Sequence, residues 1–476
     1  MKPSLPKRAK IIATLGPSIN TTPKMKKAIE AGVDVFRLNF SHGSIDAHIG
    51  VIQQIRELST KMKRPIGILA DMPGPKLRIG SFAHSDPVYL KRNSQCILTA
   101  RKVPGSSEEI PLGFAQLPSI VKKDDQILLA DGLFELRVTK VKDKDIFCEV
   151  VVGGELRQLK GINIPGRYIP ISPFTKRDRE ILSHVVRQDI DYVALSFIQK
   201  ASDIRHAQKW MKNKGRVLPI IAKIEKPQAV DDLENILDVT DFLMIARGDL
   251  GVELPIEQLP VVQKQIIDHS MKKSVPVITA TQMLDSMTFN PRPTRAEASD
   301  VANAVWDGTD ALMLSGETAM GEYPIKSIET MVSIIENAEQ SSFYRFENDR
   351  ISYLNDSDAL LHAVKTISEH SDLHAIVTYT ESGTTALKLS KLRPKLRIYA
   401  LTPKKESVQK LSLGWNIHAL INSKGTDVED MIKNGDACLM QNTSLRKGQK
   451  VIMVAGTGLS SGATNMVKIH RLGDTL

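Results

Sequence analysis

The chain has 476 residues, 42% hydrophobic and 25% charged, which is typical of a folded globular protein and too long for one core, so we expect about two to four domains. Its 64 Lys and Arg against 54 Asp and Glu give a formal net charge of +10. That mild excess, with 5% aromatic residues, argues against a dedicated nucleic-acid-binding protein and is compatible with a site for phosphorylated anions.

Cysteine usage and hydropathy indicate the compartment. Cys96, Cys148 and Cys438 are far apart in sequence and form no CxxC pair. We therefore expect neither a disulfide framework nor a cysteine-based zinc site, and we expect a reducing compartment. No run approaches about 18 apolar residues, and the basic N-terminus lacks the apolar stretch of a secretory signal. We therefore expect a cytoplasmic protein without a membrane span.

Eight short runs rich in β-branched and apolar residues recur along the chain, mostly with amphipathic helical patterns between them. Strands that alternate with helices form βαβ units and a parallel sheet. Eight such units predict a (β/α)8 barrel, with an open doubly wound sheet as the main alternative. The predicted strands are 9–15, 35–41, 65–71, 192–197, 218–225, 242–249, 276–282 and 311–317. The predicted helices are 22–31, 45–61, 175–188, 202–213, 257–273, 294–306 and 324–340.

Two further domains interrupt and follow this rhythm. After Asp71 the chain shows short alternating strands with turns at Asp131-Gly132 and Gly153-Gly154, which predicts an inserted all-β domain over residues 73–167. Past residue 345 strands and helices alternate again, which predicts an open α/β domain over 346–476. The barrel would then comprise residues 1–72 and 168–345.

Polar residues gather at the ends of the predicted barrel strands, where barrel enzymes carry their active sites. A single polar residue at a strand end is usually just solvated, but here six of the eight strands carry such residues to one rim. We therefore expect an active site there. The residues include Arg37, Asn39, Ser41, His42, Asp71, Lys223, Glu225, Arg247, Gly248, Asp249, Thr279, Thr281, Ser315 and Glu317.

The residue types at this rim favour phosphoryl transfer. Glu225 and Asp249 follow adjacent strands and could share one Mg²⁺ that keeps open positions for substrate oxygens. Arg37, Arg78 and Lys223 supply the positive charge that a transferring phosphoryl group needs. The backbone amides of Gly248 and Asp249 could bind a carboxylate. No GxxxxGK[ST] loop is present, so a P-loop nucleotide enzyme is excluded.

Longer strings of the sequence carry a family resemblance. They are FRLNFSHG (36–43), DMPGPKLR (71–78), AKIEKP (222–227), ARGDLGVE (246–253), TATQMLDSM (279–287) and NPRPTRAEASDVANAVWDGTDALMLSGETAMGEYP (290–324). They resemble the pyruvate kinase family, and the likeness spans the whole chain. The resemblance implies Mg²⁺-dependent (or Mn²⁺-dependent) transfer of a phosphoryl group from phosphoenolpyruvate to ADP, giving pyruvate and ATP as the last step of glycolysis.

The resemblance also implies roles for single residues. Arg37 would bind the phosphoryl group, Lys223 would stabilise its charge in flight, and Glu225 with Asp249 would hold Mg²⁺. The amides of Gly248 and Asp249, with Thr281, would bind the pyruvate carboxylate, and Thr281 would help deliver a proton to the enolate. The nucleotide side would comprise Asn39, Ser41, His42, Arg78 and Lys160, with Lys160 on the inserted domain acting as part of a lid.

One departure from the family concerns K⁺. Many members hold K⁺ with the equivalents of Asn39, Ser41, Asp71 and a following Thr carbonyl, and they carry a Glu nearby. Here Met72 stands for the Thr and Lys76 for the Glu. A fixed ammonium could supply the charge of K⁺, so we expect activity without K⁺, the alternative being that Lys76 points to solvent and K⁺ still binds.

A second departure concerns regulation. Thr380, Glu381, Ser382, Gly383, Thr384 and Thr385 follow a strand and open a helix, as the family's effector loop does, and their hydroxyls and amides could bind a phosphate. The last loop, AGTGLSSGAT (455–464), lacks the Trp and Arg that hold a second phosphate in eukaryotic members. We therefore expect activation by a sugar monophosphate or AMP, the alternative being an unoccupied helix N-cap.

Three smaller expectations concern helix ends and assembly. Thr294 and Glu297 predict a capping box, and the resemblance, which implies a homotetramer, makes Arg292 and Arg295 candidate intersubunit contacts. Met320 stands where some members have Lys, which puts one nucleotide contact in doubt.

The rival functions are a Mg²⁺-dependent lyase or aldolase, a catalytically inactive effector sensor and a nucleic-acid-binding protein.

Overall fold

The computed structural model describes residues 7–344, 355–456 and 464–474. Within these ranges the strands are β1 (Lys10–Thr14), β2 (Val35–Asn39), β3 (Gly67–Asp71), β4 (Val88–Leu90), β5 (Gln95–Thr99), β6 (Glu109–Pro111), β7 (Gln126–Leu129), β8 (Phe134–Lys142), β9 (Asp145–Val152), β10 (Gly154–Leu156), β11 (Ile162–Asn163), β12 (Tyr192–Leu195), β13 (Ile220–Ile224), β14 (Phe242–Ala246), β15 (Val277–Ala280), β16 (Ala311–Leu314), β17 (Ala375–Tyr379), β18 (Ile398–Thr402), β19 (Ile417–Ile421), β20 (Lys450–Ala455) and β21 (Met466–Arg471).

The α-helices in the same ranges connect or flank these strands. They are α1 (Thr22–Ala31), α2 (Ile45–Lys61), α3 (Lys176–Val185), α4 (Ala201–Asn213), α5 (Pro227–Asp231), α6 (Leu233–Leu237), α7 (Arg247–Glu253), α8 (Leu259–Lys272), α9 (Arg295–Asp307), α10 (Gly316–Ala319), α11 (Pro324–Gln340), α12 (Asp356–His370), α13 (Thr384–Lys391), α14 (Lys405–Lys410) and α15 (Val428–Asn442). None of these helices is both long and apolar enough to cross a membrane.

The predicted barrel is confirmed. Its strands close in the order β1-β16-β15-β14-β13-β12-β3-β2, and the paired neighbours run parallel, so the open sheet is excluded. Strands such as β1 and β14 are buried at every position, because one face fills the barrel and the other packs under helices. The seven helices predicted between the barrel strands correspond to α1, α2, α3, α4, α8, α9 and α11.

Helix starts in the barrel follow from local hydrogen bonds. The predicted capping box at α9 is confirmed, since Thr294 accepts from the Glu297 amide and Glu297 accepts from the Thr294 amide. An equivalent box of Thr175 and Asp178 opens α3. Such caps satisfy amides that have no partner inside the helix.

The inserted region, which we call the lid, folds on a core of its own. Its six-stranded sheet has the order β11-β7-β8-β9-β5-β6, and β4 pairs with β10. The short alternating strands predicted for this region correspond to β4, β5, β7, β8 and β9, while β6, β10 and β11, of two or three residues each, were not predicted. The predicted Asp131-Gly132 turn joins β7 to β8 with φ of 57° and 90°.

The C-terminal region forms a sheet in the order β19-β18-β17-β20-β21, parallel except at the β21 edge. It packs against the N-terminal ends of the barrel strands, which we call the barrel floor. Tyr192 at the start of β12 donates to the carbonyls of Gln409 and Lys410 at 2.8 and 2.9 Å. Lys10 at the start of β1 donates to the Ile417 carbonyl at 2.8 Å. This floor lies opposite the rim predicted to carry the active site.

Candidate active site

Arg37 and Asp71 form the first ion pair of the rim. The guanidinium of Arg37 lies 2.6 and 2.8 Å from Asp71 Oδ2, and it donates to the Thr14 hydroxyl at 3.0 Å. Asp71 is 2% exposed. Burial alone would raise its pKa, but the charges of Lys223 and Arg37 outweigh burial and hold the pKa below its usual range. Asp71 is therefore an anion that fixes Arg37 in place.

Lys223 stands between the carboxylates of Glu225 and Asp71. Its Nζ lies 2.9 Å from Glu225 Oε1 and 3.4 Å from Asp71 Oδ1, and it donates to the Ser196 hydroxyl at 2.7 Å. Burial disfavours the ammonium, but the two carboxylates outweigh burial and raise the pKa of Lys223 above its ordinary value. Lys223 thus remains a cation at any physiological pH.

Glu225 has the properties of a cation ligand. It is 1% exposed, and Oε2 accepts a 2.6 Å hydrogen bond from the Phe197 amide. Oε1 forms an ion pair with Lys223, and among the described residues this buried oxygen accepts no hydrogen bond. Burial, with the nearby charge of Asp249, raises the pKa of Glu225 to about 7 against the opposing effect of Lys223. A bound cation would relieve both the unsatisfied oxygen and the repulsion.

The pair of Glu225 and Asp249 fits Mg²⁺ on this ground. Glu225 follows β13 and Asp249 lies in the first turn of α7 after β14, and the two strands are neighbours. No group of three or more His, Cys, Asp or Glu side chains that could enclose a metal occurs in the described part of the chain. Two carboxylates with positions left for substrate and water are what Mg²⁺ commonly uses.

Gly248 and Thr281 meet at the same rim. The Gly248 amide donates to the Thr281 hydroxyl at 2.7 Å, and that hydroxyl in turn donates to the Ala280 carbonyl at 2.6 Å. Thr281 has φ of 70°, which a β-branched residue adopts only under constraint. The structure thus brings together the amide and the hydroxyl predicted to bind one carboxylate.

Arg247 supplies that constraint, and sequence reasoning gave it no role. Its Nη2 donates to the Thr281 carbonyl at 2.9 Å, and its Nη1 donates to Asp300 Oδ1 at 2.7 Å. The side chain is largely buried. An Arg after a strand is usually solvated, and only the adjacency to Gly248-Asp249 could have singled it out.

Lys76 lies inside the cleft between lid and barrel. Its Nζ is 3.1 Å from Asp131 on the lid and 3.4 Å from Asp249 on the barrel, and the side chain is 29% exposed. Burial opposes its charge, but Asp249 and Asp131 outweigh burial and raise the pKa of Lys76. The ammonium is therefore held by two carboxylates, one of them a candidate Mg²⁺ ligand, and does not extend freely into solvent.

The predicted K⁺ and nucleotide residues are spread around this cleft. Asn39 accepts from the Ser41 amide at 3.1 Å, while His42 is exposed and its carbonyl contacts His48 Nε2. Met72 is buried, and its carbonyl accepts from the Ser196 hydroxyl at 2.8 Å.

Arg78 and Lys160 lie together at the base of the lid. Both are exposed; Arg78 bridges to Gly161, the residue after Lys160, and donates to the Leu159 carbonyl at 3.0 Å. Met320 is exposed as well. Side chains exposed at these positions could contact a nucleotide between the lid and the barrel. Their roles in nucleotide binding stay predictions.

The predicted effector loop forms a tight turn before α13. The Gly383 amide donates to the Thr380 hydroxyl at 3.0 Å, and the hydroxyls of Ser382 and Thr384 are 3.0 Å apart. The Thr385 hydroxyl lies 3.0 Å from that of Thr464. Residues 457–463 of the last loop lie outside the described residues.

Glu381, the acidic member of this loop, has cationic partners that were not predicted. Lys424 and Lys404 lie 2.9 and 3.3 Å from its carboxylate. Both lysines are exposed. The loop therefore combines several hydroxyls with two lysine ammonium groups.

Two family models match this chain. The family model described as "Pyruvate kinase, barrel domain" matches residues 6–328, and the one described as "Pyruvate kinase, alpha/beta domain" matches residues 358–470. The chain is 40% identical over 473 residues to "Pyruvate kinase 2" of Synechocystis sp., covering 98% of this chain and 79% of that protein. It is 39% identical over 477 residues to "Pyruvate kinase" of Mycobacterium tuberculosis, covering 98% and 99%.

A solved structure gives the same result. The crystal structure of a pyruvate kinase from Cryptosporidium parvum superposes with a TM-score of 0.91 at 31% sequence identity. The superposition covers 98% of this chain and 96% of that one. Barrel, lid and C-terminal sheet are thus all shared with that protein.

Proposed function

The chain belongs to the pyruvate kinase family, a family of phosphotransferases, and on that premise we propose that it transfers the phosphoryl group of phosphoenolpyruvate to ADP with Mg²⁺, giving pyruvate and ATP. One observation supports this most directly. Arg37 and Lys223, both held by buried Asp71, stand beside the carboxylates of Glu225 and Asp249 at the barrel rim. Fixed cations and carboxylates preorganised in a largely buried site are what phosphoryl transfer requires.

The residues of this chain divide the work as follows. Glu225 and Asp249 would hold Mg²⁺ (or Mn²⁺), which when bound would neutralise charge on the phosphoryl oxygens. Arg37 would bind the phosphoryl group of phosphoenolpyruvate. Lys223, whose ammonium is kept charged by its neighbours, would stabilise the group as it passes to the β-phosphate of ADP.

The other product is an enolate, which needs a proton to become pyruvate. The amides of Gly248 and Asp249 would hold its carboxylate, with the substrate taking the place of the Thr281 hydroxyl on the Gly248 amide. The freed Thr281 hydroxyl would then help deliver a proton to the methylene carbon. Asn39, Ser41, His42, Arg78 and Lys160 would contact ADP, and closure of the lid would exclude water that competes for the phosphoryl group.

Cation use and regulation complete the proposal. Lys76 would supply the charge that other members take from K⁺, so that Asn39, Ser41, Asp71 and Met72 need hold no K⁺. The loop from Thr380 to Thr385 would bind the phosphate of a sugar monophosphate or AMP, helped by Lys404 and Lys424, and activate the enzyme. By family, we also propose a cytoplasmic homotetramer with Arg292 and Arg295 at a subunit contact.

The proposed reaction is tested by pyruvate formation from phosphoenolpyruvate and ADP with Mg²⁺ in Na⁺-only buffer. Lys223→Ala should abolish turnover, whereas Lys264→Ala, which removes an exposed lysine paired with Asp307, should leave it unchanged. An unmodified chain without turnover, assayed with AMP and sugar monophosphates present, would overturn the proposal and favour the lyase or sensor alternatives.

The effector site is tested by activation curves with AMP and a sugar monophosphate. A double change Ser382→Ala and Thr384→Ala should raise the half-maximal concentration about tenfold, because a hydrogen bond to a charged group is worth about 1.5–3 kcal/mol. Thr366→Ala, on α12 away from the loop, is the control. Equal curves for all three proteins would contradict the assignment.

A further inference from the structure

A buried polar network joins the lid to the barrel at the C-terminal end of α7. Glu253, the last residue of α7, is 4% exposed, and its Oε1 accepts a 2.7 Å hydrogen bond from Asn163 Nδ2. Asn163, in the lid strand β11, is likewise 4% exposed. The ammonium of Lys226 forms an ion pair with the same carboxylate. One buried oxygen thus accepts from two different domains.

Each residue of this network is close in sequence to a residue proposed to act in the reaction. Lys226 directly follows Glu225 in sequence, and Glu253 ends the seven-residue helix that carries Gly248 and Asp249. Asn163 lies three residues after Lys160, in a strand that pairs with Leu128 and Leu129 of β7. The turn after β7 presents Asp131 to Lys76.

The network also lies beside an open space between the lid and the barrel. A cleft of about 450 Å³ opens between the β7–β8 turn of the lid and the end of α7, and Glu253 lines it together with Leu128, Asp131, Gly132 and Val252. Breaking a buried hydrogen bond or ion pair is costly, because it leaves the remaining polar group buried without a partner. The Asn163–Glu253 hydrogen bond therefore fixes β11 of the lid to the end of α7 beside this cleft.

We propose that Glu253 and Asn163 are positioning residues for the lid: their hydrogen bond holds β11 against α7, so that Lys160 and Asp131 approach ADP and Asp249 in one defined geometry. Neither residue touches the reacting atoms in this scheme. The inference rests on the proposed function, in which the lid closes over ADP.

The test is Asn163→Ala in the full chain. Because misplacing a binding group by about 1 Å can cost up to about 10²-fold, we expect kcat/KM for ADP to fall at least about tenfold while KM for phosphoenolpyruvate changes less than about twofold. Glu253→Gln, which keeps the acceptor and its size, should show the same split in weaker form. The double variant should lose less than the two single losses combined, since the two residues share one hydrogen bond.

Arg167→Ala is the matched control. Arg167 pairs with Asp125 inside the lid at 2.6 and 2.8 Å, so its loss weakens the lid without touching the barrel, and kcat/KM for ADP should remain close to wild type. Hydrogen exchange supplies a readout independent of turnover, because β11 amides should exchange faster in Asn163→Ala than in Arg167→Ala.

Two results would overturn the inference: equal kinetic losses in Asn163→Ala and Arg167→Ala, or a lower melting temperature in Asn163→Ala with kcat/KM for ADP unchanged. Failure of the proposed function is distinguishable, because the unmodified chain would then show no turnover of phosphoenolpyruvate and ADP at all.

Discussion

The Gly248 amide donates its hydrogen bond to the Thr281 hydroxyl, 2.7 Å away, so the two groups proposed to bind the substrate carboxylate are hydrogen-bonded to each other. In the proposed reaction the carboxylate would replace that hydroxyl on the amide, and the hydroxyl would then act on the enolate. Thr281 has a left-handed backbone conformation, and Arg247 donates a hydrogen bond to its carbonyl. This constraint fixes the hydroxyl next to the Gly248 amide.

Thr281→Ala should therefore lower kcat by about 10²-fold or more, since positioned proton transfer contributes about 10²–10⁴-fold. Thr281→Ser keeps the hydroxyl and should retain activity within about tenfold. Steady-state kinetics with phosphoenolpyruvate and ADP provide the measurement. Equal losses in the Ala and Ser variants would show that the methyl group, rather than the hydroxyl, matters here.

Lys76→Glu should make the enzyme dependent on K⁺. The change places a third carboxylate beside Asp131 and Asp249, which lie 3.1 and 3.4 Å from the present ammonium. In Na⁺-only buffer we expect kcat to fall by about 10²-fold, the cost of losing one preorganised electrostatic group, and added K⁺ should restore part of it.

The control for this change is Lys144→Glu, at an exposed turn of the lid, which should behave like wild type in both buffers. Pyruvate formation with and without K⁺ decides the matter. A wild-type enzyme that itself needs K⁺ would remove Lys76 from the role of built-in cation.

Lys10 should make stability depend on alkaline pH. Burial lowers the pKa of Lys10 from 10.5 to about 7, against the opposing charge of Asp34. Between pH 7 and 10.5 the unfolded chain then binds more protons at this group than the folded chain, so stability rises with pH in that window. Lys10→Met removes the dependence, and the wild type should gain up to about 1.4 kcal/mol per pH unit relative to the variant.

Urea unfolding of both proteins at pH 7, 8 and 9 measures this difference. Lys433→Met, at an exposed position on α15, should unfold in parallel with wild type at every pH. A gap between Lys10→Met and wild type that stays constant with pH would show that Lys10 remains charged in the fold.

Asp310 should be among the most sensitive positions for stability. It is buried at the barrel floor, where Lys391 and Arg393 of the C-terminal region lie 2.6 and 2.9 Å from its oxygens. Asp310→Ala removes the carboxylate that two buried cations share, and breaking a buried pair costs about 3–5 kcal/mol. Thermal unfolding should show a much larger loss than for Asp268→Ala, whose exposed pair with Lys272 is worth about 0.5 kcal/mol or less.

The barrel could be predicted because its strands are continuous apolar runs buried on both faces, as in β1 and β14. Such runs are visible in sequence without any knowledge of their partners. The lid strands β6, β10 and β11 span two or three residues, too few for an alternating pattern to show. They exist only because neighbouring strands pair with them.

The residues of the candidate site also differ in whether the sequence could predict them. Lys223 and Glu225 could be placed together because residues two apart share a strand face, and the ion pair of 2.9 Å agrees. Arg247, Asn163 and Glu253 could not, because the partners described above lie 27 to 90 residues away in sequence. Nothing local distinguishes such residues from solvated ones.

The C-terminal region has a consequence for how this protein could be divided. Barrel-interior side chains such as Tyr192, Phe242 and Ile278 belong to one continuous apolar core with Leu389, Leu411 and other residues of that region. A chain truncated after residue 345 would open the underside of the barrel to water and strand Asp310 without its cations. We therefore expect that the barrel does not fold as an independent domain when the C-terminal region is removed.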